Sequence, residues 1–228
     1  MATLPALARI PGLVHGFGLR APGPAPESRA ETARRVAAGL DGDARLMLMR
    51  QVHGTTVALA PWHAAPEADA ALAGEPGLVL GIQTADCLPL LLVDPERGLV
   101  AAVHAGWRGT AAGVTRQAVR ALVARGSRPE ALVAALGPAI GPCCYEVGEE
   151  LRDAFGPQGA RFFLPGANGR PHLDLRAVNL GQLLEEGLQP AAIHQLRDCT
   201  RCRADLYHSY RRDGRGAGRM ISVVGFRA

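Results

Sequence analysis

The chain of 228 residues contains no lysine, so all 25 of its basic residues are arginine. That absence excludes a lysine nucleophile, a lysine Schiff base and the phosphate-binding lysine of a P-loop. Aromatic residues make up only 4% and the net charge is +4, which is too little stacking surface and too little charge for a nucleic-acid binder. An anionic small molecule remains a suitable partner. No apolar run reaches the length that crosses a bilayer, and the start Met1-Ala2-Thr3-Leu4-Pro5 lacks the basic-then-apolar order of a secretory signal. The expectation is a cytoplasmic protein with no membrane partner, working as a monomer or small homo-oligomer. Five cysteines, an odd number, argue against a disulfide framework. Cys143 and Cys144 are adjacent and cannot bridge each other without strain. Cys199 and Cys202 form a C-x-x-C pair for which the sequence offers no second pair, so a reduced structural pair is expected there.

What is present suits one hydrophobic core, in a single catalytic domain over residues 1–228. Apolar residues make up 48%. A first strand is expected within Ile10 to Gly18, then a proline-rich loop from Arg20 to Pro26 and a helix from Glu27 to about Leu40, with Gly39 and Asp41-Gly42 as its stop. Arg45 to Gln51 and Thr55 to Ala60 read as strands with His53-Gly54 at the corner, and 67–71 as a less regular region. Leu78 to Gln83, Leu88 to Val93 and Leu99 to His104 are continuous apolar runs, as in strands covered on both faces, with Asp94 to Gly98 as a hairpin turn. The spacing predicts a helix from about Ala111 to Ala124 with Thr110 as N-cap, a strand over Leu132 to Leu136, and a rigid Gly/Pro loop over Gly137 to Tyr145. Helices are expected over Val147 to Phe155 and Leu173 to Glu186, and strands over Ala192 to Leu196, Leu206 to Arg211 and Met220 to Phe226.

The densest chemistry lies in Gly81-Ile82-Gln83-Thr84-Ala85-Asp86-Cys87-Leu88-Pro89 and Val103-His104-Ala105-Gly106-Trp107-Arg108-Gly109, with Gln51-Val52-His53-Gly54 before them. Taken singly, a histidine or cysteine on an apolar strand is more often a packed core residue. Here all three of His53, Cys87 and His104 fall at strand ends or corners, where sites are built. Two imidazoles and one thiolate suit a zinc ion that keeps one coordination position open. A metal-free dyad competes, with Cys87 as a nucleophile activated by His53 or His104. Asp86 and Asp69 are the nearest carboxyls, each either a general acid/base or a partner that orients an imidazole. Arg108 beside a helix start is a candidate anion site, with Arg211 and Arg212 in reserve for phosphate.

Five motifs in order, Gln51 to Gly54, Gln83 to Pro89, His104 to Gly109, Gly137 to Gly141 and Ser209-Tyr210-Arg211-Arg212-Asp213-Gly214, resemble the bacterial family long labelled polyphenol oxidase or laccase-like. It is also called the zinc-dependent purine nucleoside phosphorylase family and, in some members, peptidoglycan editing factor. The resemblance runs from about Gly12 to Ser222, with a shortened segment between Leu19 and the first helix. It implies a single-domain α+β fold, a mixed β-sandwich flanked by helices in four layers, with zinc on His53, Cys87 and His104. It also implies phosphorolysis of adenosine, inosine, guanosine and methylthioadenosine, and deamination of adenosine. A multicopper oxidase needs many imidazoles, largely in His-x-His pairs, and seven scattered histidines with no such pair argue against multicopper oxidation as the main activity. Two further readings of the same site are an amidase acting on a peptidoglycan precursor and a zinc-stabilised, non-enzymatic binding module.

Overall fold

Alternation of apolar side chains along the strands, one face then the other, builds two sheets that share a core. The computed structural model describes residues 1–21, 28–40, 42, 44–166 and 169–228. Most of the expected Arg20-to-Pro26 loop, the expected helix start at Glu27 and the stop at Asp41 lie outside the described residues. In chain order the elements are α1 (Pro5–Ala8), β1 (Leu13–Gly16), α2 (Arg29–Ala38), β2 (Arg45–Leu48), β3 (Val57–Leu59), β4 (Ala70–Ala73), β5 (Leu78–Thr84), β6 (Leu88–Asp94), β7 (Leu99–Ala105), α3 (Trp107–Ala111) and α4 (Val114–Val123). There follow β8 (Val133–Leu136), α5 (Leu151–Gly159), β9 (Phe163–Pro165), β10 (Pro171–Leu173), α6 (Leu175–Glu185), β11 (Ile193–Gln195), α7 (Tyr210–Asp213) and β12 (Met220–Phe226).

A four-stranded sheet runs β1-β12-β5-β2 and a six-stranded sheet runs β11-β8-β6-β7-β4-β3; β9 and β10 form a separate hairpin. On β6 and β7, Leu91, Val93, Val100 and Ala102 face the other sheet, where they meet Leu80, Ile82 and Val224. The alternate residues Leu90, Leu92, Ala101 and Val103 face outward and pack under Val114, Val119 and Leu122 of α4 and Val178 of α6. Across the other sheet, Val36 of α2 packs on Val79, Ile221 and Val223. The result is the α+β sandwich in four layers, with β6 and β7 buried on both faces, as their unbroken apolar runs require.

Several elements differ from the sequence expectation, each for a local reason. The helix expected from Ala111 is broken in two, because Gly113 takes φ +86° between α3 and α4. The first piece starts at Trp107 with Gly106 as N-cap, so Thr110 is not a cap. It is buried, its hydroxyl and carbonyl bonded by Asn179 and Gln182 of α6. Residues 206–211 form no strand: Ser209 accepts the amide of Arg212 and caps α7 instead. The helix expected from Val147 begins only at Leu151 and is kinked at Gly156 before Pro157. The stretch 67–71 runs into a strand, β4, paired with both β3 and β7. α2 starts one residue after Ser28, whose hydroxyl and amide form a reciprocal capping pair with Glu31.

Candidate metal centre

The pleat decides which side chains meet. Counting by twos from the inward-facing Leu91 and Ala102, Cys87 just before β6 and His104 near the end of β7 lie on the same inner face, and Pro89 pairs with His104 across the antiparallel ladder. Asp69, just before β4, shares that face by the same count from Ala71. All three therefore project into one end of the sandwich, between the sheets. His53 comes from the separate corner between β2 and β3, held at φ +62°, a conformation that costs a non-glycine residue energy. Asp69 offsets that cost. Its carboxylate accepts the amides of Val52 (3.1 Å), His53 (2.9 Å) and Gly54 (2.6 Å), which shapes the corner.

The same carboxylate accepts His104 Nδ1–H at 2.7 Å, both side chains being fully or almost fully buried. This fixes the ring and its tautomer and turns Nε2 toward the thiol. Cys87 Sγ stands 4.0 Å from His53 Nε2, and one donor atom from each of His53, Cys87 and His104 lies within 4.8 Å of the others. Gly106 allows this approach, since a Cβ there would come within 2.8 Å of His53 Cδ2 and 3.2 Å of Cys87 Sγ. Burial alone would raise the Cys87 thiol, but His104 and His53 beside it outweigh burial and hold it down at about 6. Burial would likewise lower His104, yet Cys87 and Asp69 hold its imidazolium up to about 9. The metal-free pair is thus a thiolate beside an imidazolium, a donor set that can hold a metal ion once one proton leaves.

The open side of the triad faces a cavity of about 450 Å³. Arg29, Arg50, Arg108, Arg211 and Arg219 line it, and Asp86 is the one acidic residue among the described lining. Asp86, at φ +85°, already accepts the hydroxyls of Thr200 (2.6 Å) and Ser209 (3.0 Å) and the amide of Arg211 (2.7 Å). Its place is to tie the β5–β6 turn to the carboxy-terminal loop. Of the two carboxyls that the sequence offers as acid or base or as partners orienting an imidazole, Asp69 makes the second kind of contact, on His104, while Asp86 bonds to Thr200, Ser209 and the Arg211 amide. Arg108 stacks on Trp107 at 4.3 Å, and Arg211 crosses Tyr145 while donating to the Glu146 carbonyl. Arg212 is not in the lining; it is anchored by the carbonyls of Thr200, Arg201 and Tyr207 and by Asp213. Arg29, Tyr145, Tyr210 and Arg219 were missed by sequence reasoning, because only the closure of distant loops brings them to the rim.

The chain is similar to known proteins over most of its length. The family model for "Multi-copper polyphenol oxidoreductase laccase" matches residues 20–227. The chain belongs to this family. A relative from Deinococcus radiodurans named purine nucleoside phosphorylase is 41% identical over 205 residues, covering 90% of this chain and 78% of its own. One named adenosine deaminase RL5, from an unknown prokaryotic organism, is 35% identical and covers 87% of this chain and 80% of its own. Among solved structures of the family, YlmD from Geobacillus stearothermophilus superposes with a TM-score of 0.87 at 30% identity, covering 96% of this chain and 93% of that one. A laccase name does not alter the donor set on the sandwich end: among the described residues one His/Cys/His group faces the cavity, and the other potential metal-holding group contains cysteines alone. No helix among the described residues is long and apolar enough to cross a membrane.

Proposed function

We propose that the chain is a zinc-dependent purine nucleoside phosphorylase acting on adenosine, inosine, guanosine and methylthioadenosine, with hydrolytic deamination of adenosine at the same site. The observation that carries this reading is the pairing of a three-donor His/Cys/His group with a cavity lined by five arginines whose lone carboxylate is already engaged. The names of the relatives point the same way. His53, Cys87 and His104 would hold zinc, and the fit rests on the donor chemistry: two imidazole nitrogens and one thiolate converge, with the fourth direction left toward the cavity. Once held there, zinc supplies Lewis-acid chemistry to an oxygen nucleophile.

The remaining work falls to the protein's own side chains. A cavity of about 450 Å³ is within the usual size for small-molecule sites. Arg108 and Arg211, with Arg29 and Arg219 in the same lining, orient the phosphate dianion, since planar guanidinium groups match its oxygens in pairs. Trp107, Tyr145 and Tyr210 supply faces on which a purine can stack. Burial, with the Cys87 thiolate adding to it, pushes the Tyr145 hydroxyl well above the ordinary phenol value, so it keeps its proton and serves as a hydrogen-bond donor to the departing base. In phosphorolysis a phosphate oxygen bonds to ribose C1′ as the C1′–N9 bond breaks, its electron pair leaving with the purine, which takes up a proton. Asp69 and Asp86 act through position alone, the first by holding His53 and His104, the second by holding Arg211.

The test is to incubate zinc-loaded protein with adenosine, with and without phosphate. Adenine and ribose phosphate should appear only with phosphate, and inosine in either case. Full phosphorolysis by metal-stripped protein would refute the zinc-dependent reading. A metal-free hydrolase remains the second reading, favoured by the Cys87 thiolate beside an imidazolium; it requires turnover that survives chelation and is blocked by alkylation of Cys87.

A further inference from the structure

The fold assembles a second donor group that the sequence does not announce. Cys143 and Cys144 sit in the loop after β8, and Cys199 and Cys202 in the loop after β11; the two loops meet through a bridge between Ala139 and Cys199, where the Thr200 amide donates to the Ala139 carbonyl. The four sulfurs lie within 4.8 Å of one another. Cys202 Sγ stands 3.4 Å from Cys144 Sγ and 3.8 Å from Cys143 Sγ. Zinc–sulfur bonds of about 2.3 Å in a tetrahedron place sulfurs about 3.8 Å apart. Disulfides would instead draw the sulfurs into pairs at about 2 Å, and one sulfur sharing two neighbours does not suit that pattern. The Gly141 amide points its N–H at Cys199 Sγ at 3.2 Å, the bond that stabilises a metal-bound thiolate. A Cβ on Gly141 would crowd both Cys143 Sγ and Cys199 Cβ at 3.3 Å, so glycine lets the amide reach the sulfur.

We propose that Cys143, Cys144, Cys199 and Cys202 form a second, structural zinc site, closed by four thiolates. The C-x-x-C spacing of one half is that of a zinc-binding pair, and the other half is supplied across space. Binding displaces the thiol protons and leaves no coordination position for substrate, so this ion does no chemistry. Its effect is mechanical. It fastens the loop that carries Tyr145 to the loop that carries Thr200, and Thr200 in turn holds Asp86 and through it the backbone of Arg211. One wall of the cavity is thereby pinned by an ion outside it.

The test counts metal on the whole chain, prepared with zinc under reducing conditions, by native mass spectrometry. Wild-type protein should carry two zinc ions, and Cys87→Ser should keep one. Cys202→Ser, at an exposed position, should lose the ion that Cys87→Ser keeps, and Cys143→Ser should repeat that loss. Cobalt loaded into Cys87→Ser should give the intense sulfur-to-metal absorption of a four-thiolate site. Cys87→Ser protein that holds no metal would overturn the proposal, as would retention of two ions by folded Cys202→Ser and Cys143→Ser. So would peptide mapping that finds any of the four cysteines disulfide-linked in the reduced protein.

Discussion

Two clusters of donor atoms stand on opposite kinds of scaffold. His104 and Cys87 rise from the ends of two adjacent strands buried on both faces, with Asp69 beneath them, and the group opens onto a cavity. The four cysteines hang from two loops, two of them exposed, with their sulfurs gathered together beside the Gly141 amide. The difference lies in what each cluster faces, a cavity in one case and the protein surface in the other. Two strand ends and one corner converge three donors on the cavity, whereas the four sulfurs come from two loops joined to each other by the Ala139–Cys199 bridge.

The sharpest break in this comparison is Cys87→Ala. Metal at the cavity and turnover of nucleosides should both vanish, with kcat/KM falling by on the order of 10⁴ or more, while metal counting still finds the ion on the four cysteines. Next is Asp69. Asp69→Ala leaves three amides and a buried imidazole without their acceptor, and urea unfolding should register a loss of about 3–5 kcal/mol. Asp69→Asn keeps the shape but not the charge, and should weaken metal binding roughly 10–100-fold in a chelator competition.

Proton competition gives a third measurement. Metal needs the thiolate and a neutral His104. Between about pH 6 and 9 the thiolate is already formed and His104 still holds its proton, so one proton is displaced per metal bound. Affinity at the cavity should rise about tenfold per pH unit across that window, flatten above it and fall more steeply below it. A pH-independent affinity would remove the thiolate–imidazolium pair from the account. The smallest effect separates two neighbours. Arg211→Ala should raise KM for phosphate by roughly tenfold, from the loss of one or more hydrogen bonds to a charged group. Arg212→Ala should leave that KM alone and lower stability by about 1–2 kcal/mol, since its bonds go to loop carbonyls.

The residues of the candidate centre were legible because their signals are local. A thiol after a polar turn, an imidazole at the end of an apolar run and another before a glycine all declare strand ends without reference to the rest of the chain. The long strands were legible for the same reason, and β12 has the bounds its apolar run predicts. The sequence offers Asp69 as a partner that orients an imidazole, but its hold on the Val52–Gly54 corner was not legible, because that depends on β4, four alanine-rich residues that carry little strand signal by themselves and are held by pairing with β3 and β7. Tyr210 and Arg211 read as strand and fold as a capped turn, since the Ser209 hydroxyl accepts the Arg212 amide and starts α7 there.

By itself, then, the sequence determined the apolar runs that make a double-faced sandwich, the three candidate donors at strand ends and corners, and the want of lysine that excludes lysine chemistry. Tertiary structure alone decided that Asp69 meets His104 and the Val52–Gly54 amides, that Asp86 meets Thr200, Ser209 and the Arg211 amide, that Arg211 reaches the cavity while Arg212 does not, and that Cys143 and Cys144 meet Cys199 and Cys202. The physical reason is range. Periodicity and turn chemistry act between near neighbours, while the partners of a buried carboxylate or a thiol are set by which distant loops the packed sheets bring together.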